Sequence, residues 1–178
     1  MIFKPQIYPY LEKTPLIPKD CFIAPNAIIV GDVKIGSHSS IWFNSTIRGD
    51  VASITIGDKT NIQDGSVIHV CRNDGPTIIG SEVTIGHKVL VHACTIQDRA
   101  FIGMGSILMD KVIVETNAMV AAGSLVTPGK IIRSGELWAG SPAKFFRKLT
   151  EEEIKYFSVS AENYAMHAKE YIDMFSIS

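Results

Sequence analysis

Two histidines, His87 and His92, interrupt an otherwise aliphatic stretch, TIGHKVLVHACTI (84–96), and a third, His69, lies 23 residues before His92. Imidazole is both a common metal ligand and a general base working near neutral pH, so these residue types suit either role. A catalytic zinc takes three protein ligands, with Zn–N bonds of about 2.0–2.1 Å, and keeps a fourth position open. Yet a gap of five fits neither the i, i+4 pair of a zinc-binding helix nor the i, i+2 pair of one strand face. Arg48, Asp50, Gln63 and Asp64 are the other polar groups nearby in the pattern. Convergence of the imidazoles depends on the elements that carry them.

Those elements follow from an internal repeat. Aliphatic residues recur at Ile23, Ile29, Ile35, Ile41 and Ile47, then Ile56, Ile62 and Ile68, then Ile79, Ile85 and Val91, then Ile96, Ile102, Leu108, Val114, Val120 and Val126. Four residues after most of them sits a small or β-branched residue, from Ala27 and Val33 through Thr95 to Ala118 and Ser124. A step of six is neither a helical period nor plain strand alternation. It predicts a parallel β-helix of hexapeptide repeats, in which each hexad is one strand and one corner and three hexads close a triangular coil. A β-sandwich would instead need turn signals every ~8–12 residues. The step is broken by three extra residues between Ile47 and Ile56, by a loop at VCRNDGPT, and by one residue missing between Val91 and Ile96.

Four segments follow: a lead-in over 1–20, the β-helix over 21–130, a Gly- and Pro-punctuated connector over 131–149 and a helix over 150–175. Thr150 and Glu153 form a capping-box signature, and Ile154, Phe157, Ala161, Tyr164, Ala168 and Tyr171 give the helix an apolar stripe.

On the prism, one face opens with Ile29, Ile47, Ile68, Val91 and Leu108, and the residues that follow point outward: Val30, Arg48, His69, His92 and Met109. Neighbouring coils lie about 4.8 Å apart, so His69 and His92 stack and can share a metal. His87 falls around a corner, and five extended residues span up to ~16 Å. A neighbouring subunit can bring it in, which puts the site at an interface repeated by cyclic symmetry; the prism's shape suggests a trimer. Outward Val30, Met109 and Trp42 agree with such an interface. The plainer alternative is three histidines that only hydrogen-bond at an oligomer contact. Asp64 occupies the hexad position of His87 one coil earlier and can orient that ring, with Gln63 beside it. Arg48 and Asp50 are close enough to pair.

The chain has 178 residues, 46% hydrophobic and 20% charged, with net charge −1. That balance gives no electrostatic case for nucleic acid. Cys21, Cys71 and Cys94 are odd in number and lack CxxC spacing, so neither a disulfide framework nor a cysteine-rich zinc site is indicated. No run approaches the ~18 apolar residues of a membrane span, and no signal-like segment opens the chain. The reading is a soluble, cytoplasmic protein.

SIWFNSTIRGDV, TNIQDGSVIHV, TIGHKVLVHACTI, IGMGS and GSPAKFFR resemble the gamma-class carbonic anhydrase-like proteins of the hexapeptide-repeat superfamily, over about residues 10–172. The resemblance implies an all-β solenoid, a left-handed parallel β-helix of hexapeptide repeats with a C-terminal α-helix. It implies a homotrimer with Zn2+, or alternatively Fe2+ or Co2+, at each interface. His69 and His92 would come from one subunit and His87 from the next. Gln63 would hydrogen-bond the water on the metal, Arg48 and Asp50 would pair across the interface, Asn61 and Asp64 would support the site, and Tyr164 would approach it. The implied reaction is hydroxide attack on CO2 to give bicarbonate. Two departures bear on rate. The loop after His69 has Asp74 as its only acid, where the family prototype carries a proton-shuttle glutamate, and Val51 stands where the prototype has Glu. Two competing readings remain: a CoA-dependent acyltransferase of the same repeat class, and a metal-binding assembly protein without catalysis.

Overall fold

Most hexads fold as their step requires, into two or three residues of strand and then a corner. The computed structural model describes residues 5–73 and 75–176. Successive strands stack as parallel ladders that form a three-faced prism. One face carries Val67–His69, Leu90–His92, Ile107–Leu108 and Leu125–Val126. A second carries Thr77–Ile79, Thr95–Ile96, Ile113–Val114 and Ile131–Ile132. The long strands Ile28–Ile35 and Thr46–Ile56 bend from the first face onto the second and join them into one sheet. The third face is a separate eight-stranded sheet.

The repeating aliphatics fill the interior. Ile29, Ile41, Ile47, Ile62, Ile68, Ile85, Val91, Ile96 and Ile102 are fully buried, whereas Ile23 at the open end is half-buried. The second inward column holds small or β-branched residues, and where it carries hydroxyls they tie one coil to the next. Ser39 donates to the Gly57 carbonyl at 2.7 Å, Thr60 to that of Gly80 at 2.7 Å and Ser66 to that of Gly86 at 2.9 Å. Thr95 does not occupy this column. The hexad from Val91 lacks a residue, its corner is Ala93 at φ 43°, and Cys94 takes the inward slot while Thr95 is half-exposed.

The repeat also runs past residue 130. Ile131–Ile132 stacks on Ile113–Val114, and Glu136–Gly140 on Met119–Val120, with Trp138 in the place of an aliphatic. Ala143–Lys148 then turns back antiparallel along Glu136–Gly140 and covers that edge. The 131–149 segment is thus a last coil and a hairpin; its Gly and Pro mark corners, not a connector. At the other end, Gln6–Tyr8 of the lead-in adds a parallel strand beside Ile28–Val30.

The one helix among the described residues, α1 (Glu151–Ser176), lies on the third face against strands Phe22–Ile23, Ser40–Ile41, Asn61–Ile62 and Thr84–Ile85. Phe157, Ala161 and Ala168 are buried, and Tyr164, Tyr171 and Ile172 pack on the core. The capping box forms as its spacing predicts: the Thr150 amide donates to Glu153 Oε2 at 2.9 Å and the Glu153 amide to Thr150 Oγ1 at 3.2 Å. Trp42 does not face an interface; α1 covers it, and it is 6% exposed. No helix among the described residues is long and apolar enough to cross a membrane.

Two expectations follow. A Cβ on Gly57 would meet the backbone of Gly80 and Ser81 at 2.6 Å. Gly57→Ala therefore forces two coils apart, and its urea midpoint should drop by an amount equivalent to ~1–3 kcal/mol. Arg147 forks onto both Glu153 oxygens at 2.8 and 2.7 Å. That pair, with the Thr150 amide, lowers the Glu153 carboxyl from 4.5 to about 2. A depressed carboxylate stabilises the fold above its unfolded pKa and loses that contribution as pH falls from about 4.5 to 2. Glu153→Gln should flatten thermal stability against pH across that window.

Candidate metal centre

Two groups of polar side chains lie on either side of one prism corner. The first stands on the His69 face. His69 and His92 are direct ladder partners, with ring centroids 5.2 Å apart and planes at 50°. Asp50 Oδ1 lies 3.0 Å from His69 Nε2, and the other Asp50 oxygen accepts from Arg48 Nη1. Burial opposes ionisation of Asp50, but the hydrogen bonds from His69 and Arg48 outweigh it and hold the carboxyl below its ordinary range. Arg48 and Asp50 thus pair within one chain. Asp110 Oδ1 lies 2.6 Å from His92 Nδ1. A carboxylate only accepts, so the proton sits on Nδ1 and the Nε2 lone pair stays available.

The second group surrounds the corner that His87 occupies, just before Lys88 at φ 57°. His87 Nδ1 is 2.9 Å from Asp64 Oδ2, so this ring too is held from behind with Nε2 turned away. Both side chains are over 40% exposed, which leaves the free face of the imidazole open to another molecule. Gln63 is buried beside them, and its Nε2 donates to Asn61 Oδ1 at 3.0 Å. Tyr164 reaches this group from α1, packed edge-on against Trp42 with centroids 5.5 Å apart. Burial, and after it the charge of Asp64, raises the Tyr164 hydroxyl above its ordinary value, so it stays protonated at neutral pH.

The chain therefore brings His69 and His92 together with Arg48 and Asp50. It gathers Asn61, Gln63, Asp64, His87 and Tyr164 elsewhere. Among the described residues of one chain, no group of three or more His, Cys, Asp or Glu is placed to hold a metal. The donors still fit one: His87 and His92 each show a carboxylate-anchored Nδ1 and an unencumbered Nε2, the form in which imidazole binds metal, while Asp50 takes Nε2 of His69 and leaves Nδ1 as its free nitrogen. Sequence reasoning missed Asp110. Its signal was the coil length, since it follows His92 by 18 residues. Asp74, the one acid of the loop after His69, lies outside the described residues. Cys94 beside this site is inert as a nucleophile, because burial pushes its thiol up to about 12.

A prism of stacked hexads with one long helix defines a hexapeptide-repeat protein, and the family described as bacterial transferase hexapeptide (six repeats) matches residues 14–49. Gamma carbonic anhydrase 2, mitochondrial, of Arabidopsis thaliana is 52% identical over 168 residues, covering 89% of this chain and 60% of the plant protein. A carbonic anhydrase of Geobacillus kaustophilus is 46% identical over 149 residues, covering 84% of this chain and 81% of its own. The solved structure of a hexapeptide transferase family protein from Anaplasma phagocytophilum superposes with a TM-score of 0.90 at 52% identity, covering 93% of this chain and 98% of that one. The chain belongs to the gamma carbonic anhydrase family. It spans about 60% of the length of the plant relative.

The carboxylates behind the imidazoles should matter for affinity. Asp110→Asn and Asp64→Asn are each expected to weaken metal binding by roughly 10–100-fold, read by competition with a chromophoric chelator.

Proposed function

We propose that the protein hydrates CO2 reversibly to bicarbonate as a homotrimer, with a metal at each interface held by His69 and His92 of one chain and His87 of the partner subunit. The observation that carries this reading is the division of the polar groups into two half-sites, each pre-oriented and neither complete alone. The activity named for the plant and Geobacillus relatives supports it. An all-imidazole site suits Zn2+, and Fe2+ or Co2+ as well. Such a cation supplies Lewis acidity that brings the pKa of coordinated water towards neutrality.

The chain's own groups set the rest of the chemistry. Asp64 and Asp110 fix the rings of His87 and His92. Asp50 holds His69, and Arg48 holds Asp50. Gln63 gives its amide N–H to Asn61, which leaves Oε1 as an acceptor for a proton on the reacting oxygen. Tyr164, still protonated, closes the side of the site against Trp42. The loop after His69 carries Asp74 as its one acid and no glutamate, so we assign that proton's removal to buffer.

Co-expression of two defective chains tests the split site. His69→Ala and His87→Ala should each lose metal alone. Mixed trimers regain one complete site in three, so random assembly should restore about a quarter of the metal and of the CO2 hydration. Stopped-flow hydration by reconstituted, anaerobically prepared protein should also rise with imidazole buffer. Metal retained by His87→Ala alone would refute the interface site, and no hydration at any buffer concentration would refute the activity. Acyl transfer from CoA is the second reading, favoured by the likeness to the Anaplasma phagocytophilum protein, which is described as a hexapeptide transferase family protein. Acetyl-CoA consumption without CO2 hydration would select it. Metal uptake with neither activity would leave a metal-binding assembly protein.

A further inference from the structure

The Gln63 amide is held from behind by a hydrogen-bond chain that ends on α1. Gln63 Nε2 donates to Asn61 Oδ1 at 3.0 Å. Asn61 Nδ2 donates to Thr84 Oγ1 at 3.1 Å and more loosely to the Val83 carbonyl at 3.4 Å. Thr84 Oγ1 lies 3.1 Å from Ser160 Oγ. Asn61 and Thr84 are 1% exposed, and Gln63 and Ser160 6%, so water does not compete along the chain.

A terminal amide has two orientations that differ little in shape, and its neighbours must choose between them. Here the choice passes from the helix inward. The Val83 carbonyl only accepts, so Asn61 turns Nδ2 towards it. Asn61 Oδ1 then faces Gln63, which must turn Nε2 inward and Oε1 outward. Thr84 is the ambiguous link, because a hydroxyl can donate or accept. A Thr84 proton aimed at Asn61 would favour the flipped amide and set Asn61 Oδ1 against the Val83 carbonyl. When Thr84 donates to Ser160 instead, it keeps only lone pairs for Asn61.

We propose that Ser160 is a positioning residue for Gln63: by accepting the hydrogen bond of the Thr84 hydroxyl it fixes both amides so that Gln63 presents an acceptor to the site. Tyr164 lies four residues further along α1, on the same helix face. One turn of helix thus braces the Gln63 amide and borders Asp64, which sets His87. The effect on catalysis rests on the CO2-hydration reading; the fixed amide orientation does not.

Four variants test this: Ser160→Ala, Thr84→Val, their double mutant and Ser160→Thr. Metal content and melting temperature should stay near those of the parent in Ser160→Ala. Its side-chain amide protons on Gln63 Nε2, followed by 15N-resolved NMR, should exchange with solvent about tenfold faster as the amide begins to flip. Its kcat for CO2 hydration should fall by about tenfold, as for a misplaced reacting group, with KM unchanged. The double mutant should be no worse than Thr84→Val, because both changes cut one chain. Ser160→Thr, which keeps the hydroxyl, should restore slow exchange and most of kcat. Parent-like amide exchange in Ser160→Ala would overturn the proposal, as would a kcat loss matched by metal loss or unfolding. A parent protein that hydrates no CO2 would defeat the functional reading alone, leaving amide exchange to decide the role of Ser160.

Discussion

Parallel stacking of coils at a single strand spacing is the constraint on which the rest of this protein depends. It makes neighbours of residues far apart in the chain, such as His69 and His92, or His92 and Asp110. It also demands that whatever fills the prism repeat faithfully. Larger aliphatics take the flat of each face, while small or β-branched residues such as Ser66 and Val89 sit next to the corners. Hydroxyls in that second column replace water for the carbonyls they meet, and no buried side-chain polar atom among the described residues lacks a partner. With the interior so ordered, outward side chains can be set on a fixed grid.

The candidate site uses that grid economically. Three imidazoles have three carboxylates behind them, from Asp50, Asp64 and Asp110. Two of those carboxylates take Nδ1, and the third takes Nε2 of His69. Each pair fixes a ring with one hydrogen bond, at the cost of burying part of a charge. The Gln63 side of the corner is built differently, from neutral amides and hydroxyls wedged beneath α1. The carboxylate–imidazole pairs run from half-buried at Asp50–His69 to exposed at Asp64–His87, whereas the amide chain is dry. An acceptor oxygen is best held rigid where water cannot compete for its partner.

Much of this was legible in the sequence because the period of six is unlike any other secondary-structure signal. The same arithmetic paired His69 with His92, set His87 around a corner and placed Asp64 behind it. The signal weakened wherever the count changed. The short corner at Ala93 put Cys94 where Thr95 was expected, and Asp110 escaped notice because it belongs to a coil with no histidine of its own. Residues 131–149 read as a connector because Trp138 stands where an aliphatic should recur and because Gly and Pro carry no period. Trp42 looked exposed for a different reason: repeat position says which side chains leave the prism, but not which face a distant helix will cover. The Ser160 contact is of that kind, joining residues 76 positions apart that no local pattern connects.

The corners have a further consequence. Several hold ordinary residues in the left-handed region, including Lys59 at 51°, Glu82 at 57°, Lys88 at 57° and Arg99 at 55°. A single such residue costs about 1–2 kcal/mol in an isolated chain. Here the ladders above and below impose it whatever the side chain. Identity at these positions is therefore set less by the backbone than by lateral partners: Lys59 reaches Glu162, Glu82 accepts from Ser158 and Arg99 donates to Asn117, while Lys88 is exposed. Corners act as sockets of fixed direction, into which charge, imidazole or amide can be exchanged without disturbing the column inside. A scaffold of this kind can drift in chemistry far faster than in shape.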